Sequence, residues 1–530
     1  MSYIFEQTVG KHRYVFEGQS YRDANGKARN RRIAIGKIDS ATGHRVYKPE
    51  YLARMQAEGN PVVQSSSVNQ FSVDDVRESR IKEYGLFYLL QEISVRSGLL
   101  DALRGAIPGL WQEIFTLACH LVSTGNPFMH CSDWVQGTQT LPVGSMSSQR
   151  ISEITAAITV SMRDHFFALW CARRAEEEYL ALDITSSSSY SELIDDVEWG
   201  YNRDGEDLPQ VNLCLLMGET SWFPIYQVVY AGSLRDVSTL DSTLALFDEV
   251  TDGKPVRSVM DKGFYSKHNV DGMLYSEAEK KFIIAVPFTS NIAKKQVDEE
   301  RDRIESAQNA IVICGDSVRV VTKKTKWDGK HSVFTHIYFS PAKAFSKREE
   351  FIAHAAVLRE EASLSPGKYI NSEEHKKYIE IQKSDTELSG YTVRISEDAL
   401  KVHMGYAGWL VLISNDIDDA KKALRIYRAK DVVEKGFWRL KCDLDLGRLR
   451  VHGQERMQNK VFIGFISLVL LAGIHGVMVA KKLYEKMTMK QLLRCLSKLR
   501  IQEIKGERIL FPVTKKQKDI FEAFALDVPV

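Results

Sequence analysis

One apolar run, Val461 to Ala480, most constrains what this chain can fold into. Its 20 residues match the length that crosses a bilayer as a helix, and Lys460 and Lys481 flank it. The alternative is a helix buried on all sides inside a large core. We favour the buried helix, because the sequence has no second run of this kind and because His475, Ser467 and three glycines interrupt it.

Composition indicates an intracellular globular protein of several domains. The chain has 530 residues, of which 44% are hydrophobic and 26% charged. Its seven cysteines are scattered without paired spacing, which argues against a zinc module or a disulfide framework and fits a reducing cytosol. The first residues contain no apolar segment typical of a secretion signal. We therefore expect a cytoplasmic protein that does not cross a membrane.

Positive charge is concentrated in two stretches, although the net charge of the whole chain is only +2. Lys and Arg exceed Asp and Glu by six over residues 9–50 and by nine over residues 481–518. Basic patches of this kind suit nucleic-acid phosphates. Ordinary solvated surface has a similar composition, so the patches alone decide little.

Changes of pattern divide the chain into six segments. Turn signals at Asn25–Gly26 and Thr42–Gly43 indicate hairpins, the polar loop Gly59–Gln70 marks the first boundary, and Ser147–Ser148 begins a helix. The helical segment is compatible with a helix-turn-helix reader of DNA or with a linker bundle. The predicted segments are a small antiparallel β domain that is a candidate for DNA contact (1–60), a helical domain that is a candidate for DNA binding (61–176), the first part of an α/β domain (177–288), a β-rich insertion (289–406), the second part of the α/β domain (407–485) and a basic C-terminal segment (486–530).

The third segment alternates strands and helices in a recognisable order. A short strand, Tyr179–Leu182, ends at Asp183, and two more strands follow at 211–218 and 224–232. A helix, a strand ending at Asp261, a second helix and a fifth strand complete it. The order strand-strand-strand-helix-strand-helix-strand is that of an RNase H-like fold, a mixed sheet flanked by helices. We predict that the β-rich insertion interrupts this sheet and that the strand Gly408–Asp416 resumes it.

The segment Ile417–Lys441 reads as one helix capped by Asp416. At about 3.6 residues per turn, steps of three, four and seven residues place four polar side chains on one face. These residues are Tyr427, Lys430, Glu434 and Lys441. The plain alternative is a solvated face with an ion pair worth about 0.2–0.5 kcal/mol.

Three carboxylates are candidates for a shared site. Asp183 and Asp261 end strands and Glu434 lies on the helix, 78 and 173 residues apart along the chain. Taken singly, each aspartate is more typical of a strand-end turn. Together, three converging carboxylates would repel one another unless divalent cations lay between them. Two Mg²⁺ ions about 3.5–4 Å apart would activate an attacking hydroxyl and stabilise a leaving phosphodiester oxygen.

These residues carry a family resemblance. The spacing Tyr427, Lys430, Glu434, Lys441 is similar to the Tyr-x2-Arg-x3-Glu-x6-Lys signature of bacterial insertion-sequence transposases of the DDE type, with lysine in the place of arginine. Asp183-x-Thr185 and Asp261-x-Gly263-Phe264 resemble that family's first two catalytic blocks. The resemblance implies DNA cleavage and strand transfer at transposon ends. It also implies an RNase H-like domain with a β-rich insertion and places the long apolar helix in the core.

The resemblance also implies roles for individual residues. Asp183, Asp261 and Glu434 would hold two Mg²⁺ or Mn²⁺ ions, and Tyr427, Lys430 and Lys441 would contact phosphates of double-stranded DNA. Ion pairing along the helix, with Asp431 and Glu434, is the alternative for the basic residues. Trp327 is a candidate for stacking on a flipped base, although an exposed aromatic beside the Asp328–Gly329 turn is the more ordinary interpretation.

Two other functions remain compatible with the sequence. One is a DNA-binding protein of transposase descent that no longer cuts DNA. The other is a metal-dependent nuclease without strand transfer. For the transposase itself, the need to join two transposon ends predicts a homodimer in the DNA complex.

Overall fold

The structure is a computed structural model that divides into two compact units. It describes residues 2–10, 12–22, 27–38, 45–57, 73–173, 178–387 and 389–529. The first unit comprises Met1–Arg80 and Ile504–Glu507, and the second comprises Ile81–Glu503 and Arg508–Val530. The predicted turns at 25–26 and 42–43 and the polar loop 59–70 lie outside the described residues.

The first unit contains a four-stranded antiparallel sheet in the order β1-β2-β3-β4. Val15, Ile35 and Tyr51 form its small core, and Arg54 of the following helix pairs with Glu17 on the sheet. The small antiparallel sheet expected from the sequence is therefore observed. Its elements are β1 (Ser2–Val9), β2 (His12–Arg22), β3 (Ala28–Ile38), β4 (Arg45–Tyr47), α1 (Pro49–Ala57) and α2 (Val73–Glu78).

A helical region opens the second unit. Ser147 caps one of its helices by accepting a hydrogen bond of 3.3 Å from the backbone of Arg150, as the sequence predicts. Gly98, at φ 77°, allows a sharp turn between two others. The elements are β5 (Arg80–Glu83), α3 (Gly85–Ser97), α4 (Leu99–Ala106), α5 (Trp111–Thr124), α6 (Cys131–Gly137), α7 (Ser148–Ala157) and α8 (Val160–Ala172).

The predicted order of strands and helices follows. The elements are β6 (Leu180–Ser188), β7 (Gln210–Gly218), β8 (Pro224–Ala231), α9 (Asp236–Thr251), β9 (Val256–Met260), α10 (Lys267–Leu274) and β10 (Lys280–Ala285). Strands β6 to β8 are antiparallel neighbours, whereas β9 runs parallel to both β6 and β10. Strand β7 is buried along its whole length, as expected of a strand covered on both faces.

The next segment extends the same sheet. Its elements are α11 (Asn291–Glu300), β11 (Ala310–Ile313), β12 (Asp316–Lys326), β13 (Ser332–Phe339), α12 (Pro341–Leu364), α13 (Pro366–Tyr369), α14 (Glu373–Lys376), β14 (Ile379–Lys383), β15 (Tyr391–Ile395), α15 (Glu397–Met404) and β16 (Trp409–Ser414). Strand β13 pairs with β16, and β16 with β10. The result is a nine-stranded mixed sheet, β11-β12-β13-β16-β10-β9-β6-β7-β8.

The structure differs here from the expected, mostly β insertion. Strands β11 to β13 belong to the central sheet, because both edges of β13 find partners there. What remains between β13 and β16 is mainly helical, with one hairpin of β14 and β15. The 24-residue helix α12 buries Phe351, Ala355 and Leu358 in two small clusters with this hairpin and α15.

The last part of the chain contains the long apolar helix. The elements are α16 (Ala420–Ala429), α17 (Asp431–Trp438), α18 (Gln454–Ala480), α19 (Met489–Ser497), β17 (Arg500–Ile504), β18 (Glu507–Leu510) and α20 (Lys515–Ala523). Among the described residues, α18 is the one helix long and apolar enough to cross a membrane, but 78% of its most apolar window is buried inside the protein. Ser467 on α18 donates to the carbonyl of Ala118, and Asn459 donates to that of Thr155. Helix α18 therefore has the burial of a core helix.

One hydrophobic core joins the helical region, the central sheet and α18. Phe462 and Phe465 of α18 meet Phe166 and Phe167 of α8 edge to face. The helical segment and the sheet, which the sequence suggests as separate domains, thus share one compact unit in the structure.

The predicted single helix over Ile417–Lys441 is two helices. Asp419, not Asp416, caps α16 by accepting from Lys421 and Lys422 at 2.7 and 3.1 Å. At Lys430 the backbone ψ of −14° interrupts the regular helical geometry and separates α16 from α17. After α17 the chain makes a π-helical turn, Arg439–Asp443. The four signature residues consequently do not share one straight face.

Candidate active site

The register between β6 and β9 places the two aspartates side by side. Leu182 pairs with Met260 in the last register pair of the parallel ladder, and Asp183 and Asp261 are the next residues along each strand. The sequence suggested that the strand ends at Asp183, but it does not. Instead β6 continues to Ser188 against β7. Asp183 lies where the pairing with β9 ends, so its position relative to Asp261 is still set by backbone hydrogen bonding.

Asp183 is a largely buried carboxyl group. Its Oδ1 accepts a hydrogen bond of 2.8 Å from the backbone N–H of Ile184. Burial raises its pKa to about 6, and the nearby charges of Asp261 and Asp236 act in the same direction. The Ile184 N–H and the Lys430 ammonium oppose this increase. Burial therefore makes the ionised form of Asp183 less favourable than that of an exposed aspartate.

Asp261 begins a short helical turn, Lys262–Phe264, by accepting a hydrogen bond of 2.7 Å from the backbone of Lys262. The phenol of Tyr427 donates to the same oxygen, Oδ1, at 2.9 Å. Burial, and then the charge of Asp261, raise the pKa of Tyr427. The phenol therefore stays protonated and fixes the orientation of the carboxylate from the α16 side.

Lys430 lies among the carboxylates rather than on the surface. Its side chain is 10% exposed, and its ammonium lies 3.1 Å from Oε1 of Glu434 and 3.7 Å from Oδ2 of Asp261. Burial disfavours its charge, but Asp261, Glu434 and Asp183 outweigh that effect and raise its pKa. Lys430 thus supplies the positive charge that an acidic cluster requires.

Glu434 is the outermost member of this cluster. It lies in the first turn of α17 with its side chain 60% exposed, and Lys430 is its hydrogen-bond partner. Within the part of the chain that the structure describes, no group of three or more His, Cys, Asp or Glu side chains is arranged to hold a metal ion. The fold brings all three predicted carboxylates to one region, with Glu434 turned outward.

Lys441 faces a different acidic residue. In the π-helical turn after α17, its ammonium donates to both oxygens of Asp204, at 2.8 and 2.6 Å. Asp204 belongs to the connection between β6 and β7. Lys441 is therefore close to the central sheet but is not part of the Lys430 cluster.

Trp327 is partly buried. It follows β12 in the hairpin with β13, packs against the main core, and donates from its indole N–H to Asp271 at 2.6 Å. The neighbouring Asp328 accepts hydrogen bonds from the side chains of Tyr275 and His331. The exposed position expected for Trp327 is therefore wrong, because its indole N–H has a fixed partner on α10.

Asp236 and Arg203 also lie at this site, although sequence reasoning missed them. Asp236 opens α9 and forms a hydrogen-bonded ion pair with Arg203, whose other amino group lies 3.4 Å from the Ser186 hydroxyl. A Cβ on Gly263 would lie 3.2 Å from Asp236, so the turn after Asp261 is adjacent. Arg203, Asp236 and Gly263 line an open cavity of about 520 Å³. The sequence signal that could have identified Asp236 is an acidic residue at the start of the helix that follows β8.

Comparisons with known proteins indicate a transposase. A family model described as the transposase DDE domain matches residues 174–470, which is more than half of the chain. Among solved structures, the chain is similar to a piggyBac transposase in a cryo-EM structure of its synaptic complex with hairpin DNA. That match has 10% identity and a TM-score of 0.33 over 84% of this chain and 74% of the other, too distant to bear on the fold. No curated protein matches.

The family match covers the three carboxylates and all four signature residues. It confirms the resemblance to DDE transposases. The chain belongs to the DDE transposase family.

Proposed function

We propose that this protein cleaves DNA at the ends of its own insertion sequence and joins those ends to target DNA. One observation carries the proposal. Asp183, Asp261 and Glu434 come from three distant parts of the chain, yet Asp261 and Glu434 lie within ion-pair distance of the Lys430 ammonium and the β6–β9 ladder leads Asp183 to the side of Asp261. Strands β6 to β10 would form the core of an RNase H-like catalytic domain, consistent with their element order.

The donor chemistry of the cluster fits hard divalent cations. Asp183, Asp261 and Glu434 offer carboxylate oxygens, the ligands that Mg²⁺ and Mn²⁺ prefer. When bound, two such cations would activate the attacking oxygen and stabilise the leaving oxygen of a phosphodiester. Glu434 is exposed enough to turn inward for this purpose. Its present partner, Lys430, already places a positive charge beside the carboxylates of Glu434 and Asp261.

The remaining residues orient the cluster. The Tyr427 phenol fixes Asp261, and Lys430 offsets the mutual repulsion of the carboxylates. Asp183 must lose its proton to act as a ligand, and the Ile184 N–H stabilises the ionised form. Catalysis then consists of holding the phosphodiester in line with the attacking water, and later with the freed 3′-hydroxyl.

Contacts to double-stranded DNA would begin from these positions. Lys441 would exchange Asp204 for a phosphate, since Asp204 lies on the connection between β6 and β7 and the pair is partly exposed. Tyr427 and Lys430 would reach the phosphate next to the scissile bond from within the cluster. A homodimer would bring two transposon ends together, and we infer a location in the bacterial cytoplasm, on the nucleoid.

The decisive experiment uses the purified protein, Mn²⁺ and DNA carrying the inverted repeats that flank its reading frame. We expect nicked and joined products from the wild type and none from Glu434→Gln, which keeps the shape of the side chain but removes its charge. Asp431→Asn, on the same helix but paired with Lys435, is the matched control and should retain activity.

Other outcomes assign the alternatives. Binding without nicking would favour a DNA-binding protein of transposase descent. Nicking without joining would favour a metal-dependent nuclease. Wild-type rates of joining in Glu434→Gln would remove Glu434 from the site.

A further inference from the structure

A second cavity, of about 390 Å³, lies between α7, the start of α18 and the segment that precedes α18. Among the described residues that line it are three basic side chains, a histidine and three hydroxyls, and none is Asp or Glu. The basic and imidazole groups are Arg450, His452, Arg456 and Lys460. Besides the hydroxyl residues, the remaining lining residues are apolar, so the basic groups are the charged groups that a ligand in this cavity would meet, and they favour an anion.

Lys460 is the unusual member of this set. It is only 5% exposed. In the part of the chain that the structure describes, its ammonium has no hydrogen bond and no ion pair. Burial lowers its pKa to about 8, which the charge of Asp445 only partly offsets. A buried, unpaired ammonium is costly for a folded protein, so a ligand that pairs with it would bind favourably.

The neighbours of Lys460 are fixed without neutralising it. Arg450 pairs with Asp445 at 2.6 Å, and Arg456 donates to the Ser152 hydroxyl at 3.0 Å. His452 lies 3.5 Å from the hydroxyl of Ser191. Each basic neighbour is therefore oriented by one contact and keeps other N–H groups available.

We propose that this cavity binds a phosphate group, with Lys460 as its central ligand and Arg450 and Arg456 beside it. Arginine and lysine donors arranged around one small space suit the tetrahedral oxygens of phosphate. The favoured source is the backbone of bound DNA, an assignment that rests on the proposed function. The other source is a free phosphate anion.

The position of the cavity fits a DNA backbone that runs from the catalytic cluster. Strand β6 carries Asp183, and its last residue, Ser188, accepts a hydrogen bond of 2.9 Å from the backbone of Leu449, next to Arg450. At about 3.3 Å per residue, Ser188 lies roughly 16 Å along the strand from Asp183. A duplex with its scissile phosphate at Asp183 would pass this cavity several base pairs further along.

The test compares Lys460→Met with Lys254→Met, which removes the same charge from an exposed turn between α9 and β9, outside both basic stretches of the sequence. DNA affinity is measured by fluorescence anisotropy with a short duplex over a range of salt concentrations. We expect Lys460→Met to lose affinity by about tenfold. We also expect the slope of log affinity against log salt concentration to become less steep by about 0.9 for this variant. Lys254→Met should match the wild type.

A second arm identifies the source of the phosphate. Thermal unfolding is measured in inorganic phosphate and in chloride at equal ionic strength, for the wild type and for both variants. Stabilisation by phosphate that Lys460→Met lacks, together with unchanged DNA affinity, assigns the site to a free anion and rejects DNA as the source. If Lys460→Met matches Lys254→Met in both arms, the proposal is overturned.

These outcomes are separate from those of the proposed function. Joining activity with no effect of Lys460→Met on either arm would reject the phosphate site alone. A Lys460 effect on DNA affinity in a protein that never joins DNA ends would reject the proposed function alone.

Discussion

Two buried lysines in the second unit differ in their surroundings. Lys430 and Lys460 are 8% and 5% exposed. Lys430 has Glu434 and Asp261 within ion-pair distance, and its pKa is raised. Lys460 has no partner among the described residues, and its pKa is lowered to about 8.

The difference shows that burial alone does not decide what a charged side chain contributes. At Lys430 the carboxylates gain a counter-charge and the lysine gains partners, so each stabilises the other. At Lys460 the fold bears the cost of an isolated charge. Such a cost is typical of a site whose partner arrives from outside the chain.

The largest effect on stability in this comparison is expected from Lys430→Met. The substitution leaves the carboxylates facing one another without a cation, so in the presence of a chelator the free energy of unfolding should fall by about 2 kcal/mol. The value is modest because Glu434 is mostly exposed. Urea unfolding measures it, with the exposed Lys435→Met as control. Equal stability of the two variants would contradict the role given to Lys430.

A smaller effect of opposite sign is expected from Lys460→Met. Replacing an unpaired buried charge by an apolar side chain of similar length should raise the free energy of unfolding by about 1–2 kcal/mol at pH 7. Unfolding curves over a range of pH measure this gain. A loss of stability at pH 7 would mean that Lys460 has a partner inside the protein.

The gain should depend on pH in a defined direction. The pKa of Lys460 is lowered from 10.5 to about 8 on folding, so below pH 8 both states carry the charge and the wild type bears the full cost. Between pH 8 and 10.5 the folded wild type is neutral while its unfolded state is still protonated. The wild type becomes more stable as pH rises through this window, and the advantage of Lys460→Met should fade.

The smallest effect is expected from Lys441→Gln. Its ion pair with Asp204 is partly exposed, and such pairs contribute about 0–1 kcal/mol. Thermal unfolding should therefore change little, whereas the proposed contact to DNA predicts weaker binding with a shallower salt dependence. A clear loss of stability without any change in DNA binding would make Lys441 a structural residue.

The sequence predicted the elements of the catalytic sheet well because their signals are local. Strands β7 to β10 and β16 are short apolar runs between turn residues, and each was expected within a few residues of its observed bounds. The end of β6 was not predicted at its observed position. Ser187 and Ser188 read as loop residues, but they are buried and donate to Leu446 and Glu206, which satisfies their hydroxyls inside a strand.

Residues that depend on distant partners were predicted less well. Tyr427, Lys430, Glu434 and Lys441 do recur at helical spacing. The backbone ψ angle at Lys430 ends α16, however, so the residues after it point in a different direction from those before it. Lys441 finds a partner 237 residues away, and Trp327 finds one 56 residues away. A spacing pattern within one segment contains no information about such contacts.

The parallel ladder between β6 and β9 has a consequence for how this site varies among relatives. Neighbouring strands lie about 4.8 Å apart whatever their side chains are, and the ladder leads directly into Asp183 and Asp261. Insertions or deletions in the chain between the two aspartates can therefore change loops and even whole hairpins without altering their separation. Divergent members of the family should conserve this spacing even where they share few other residues.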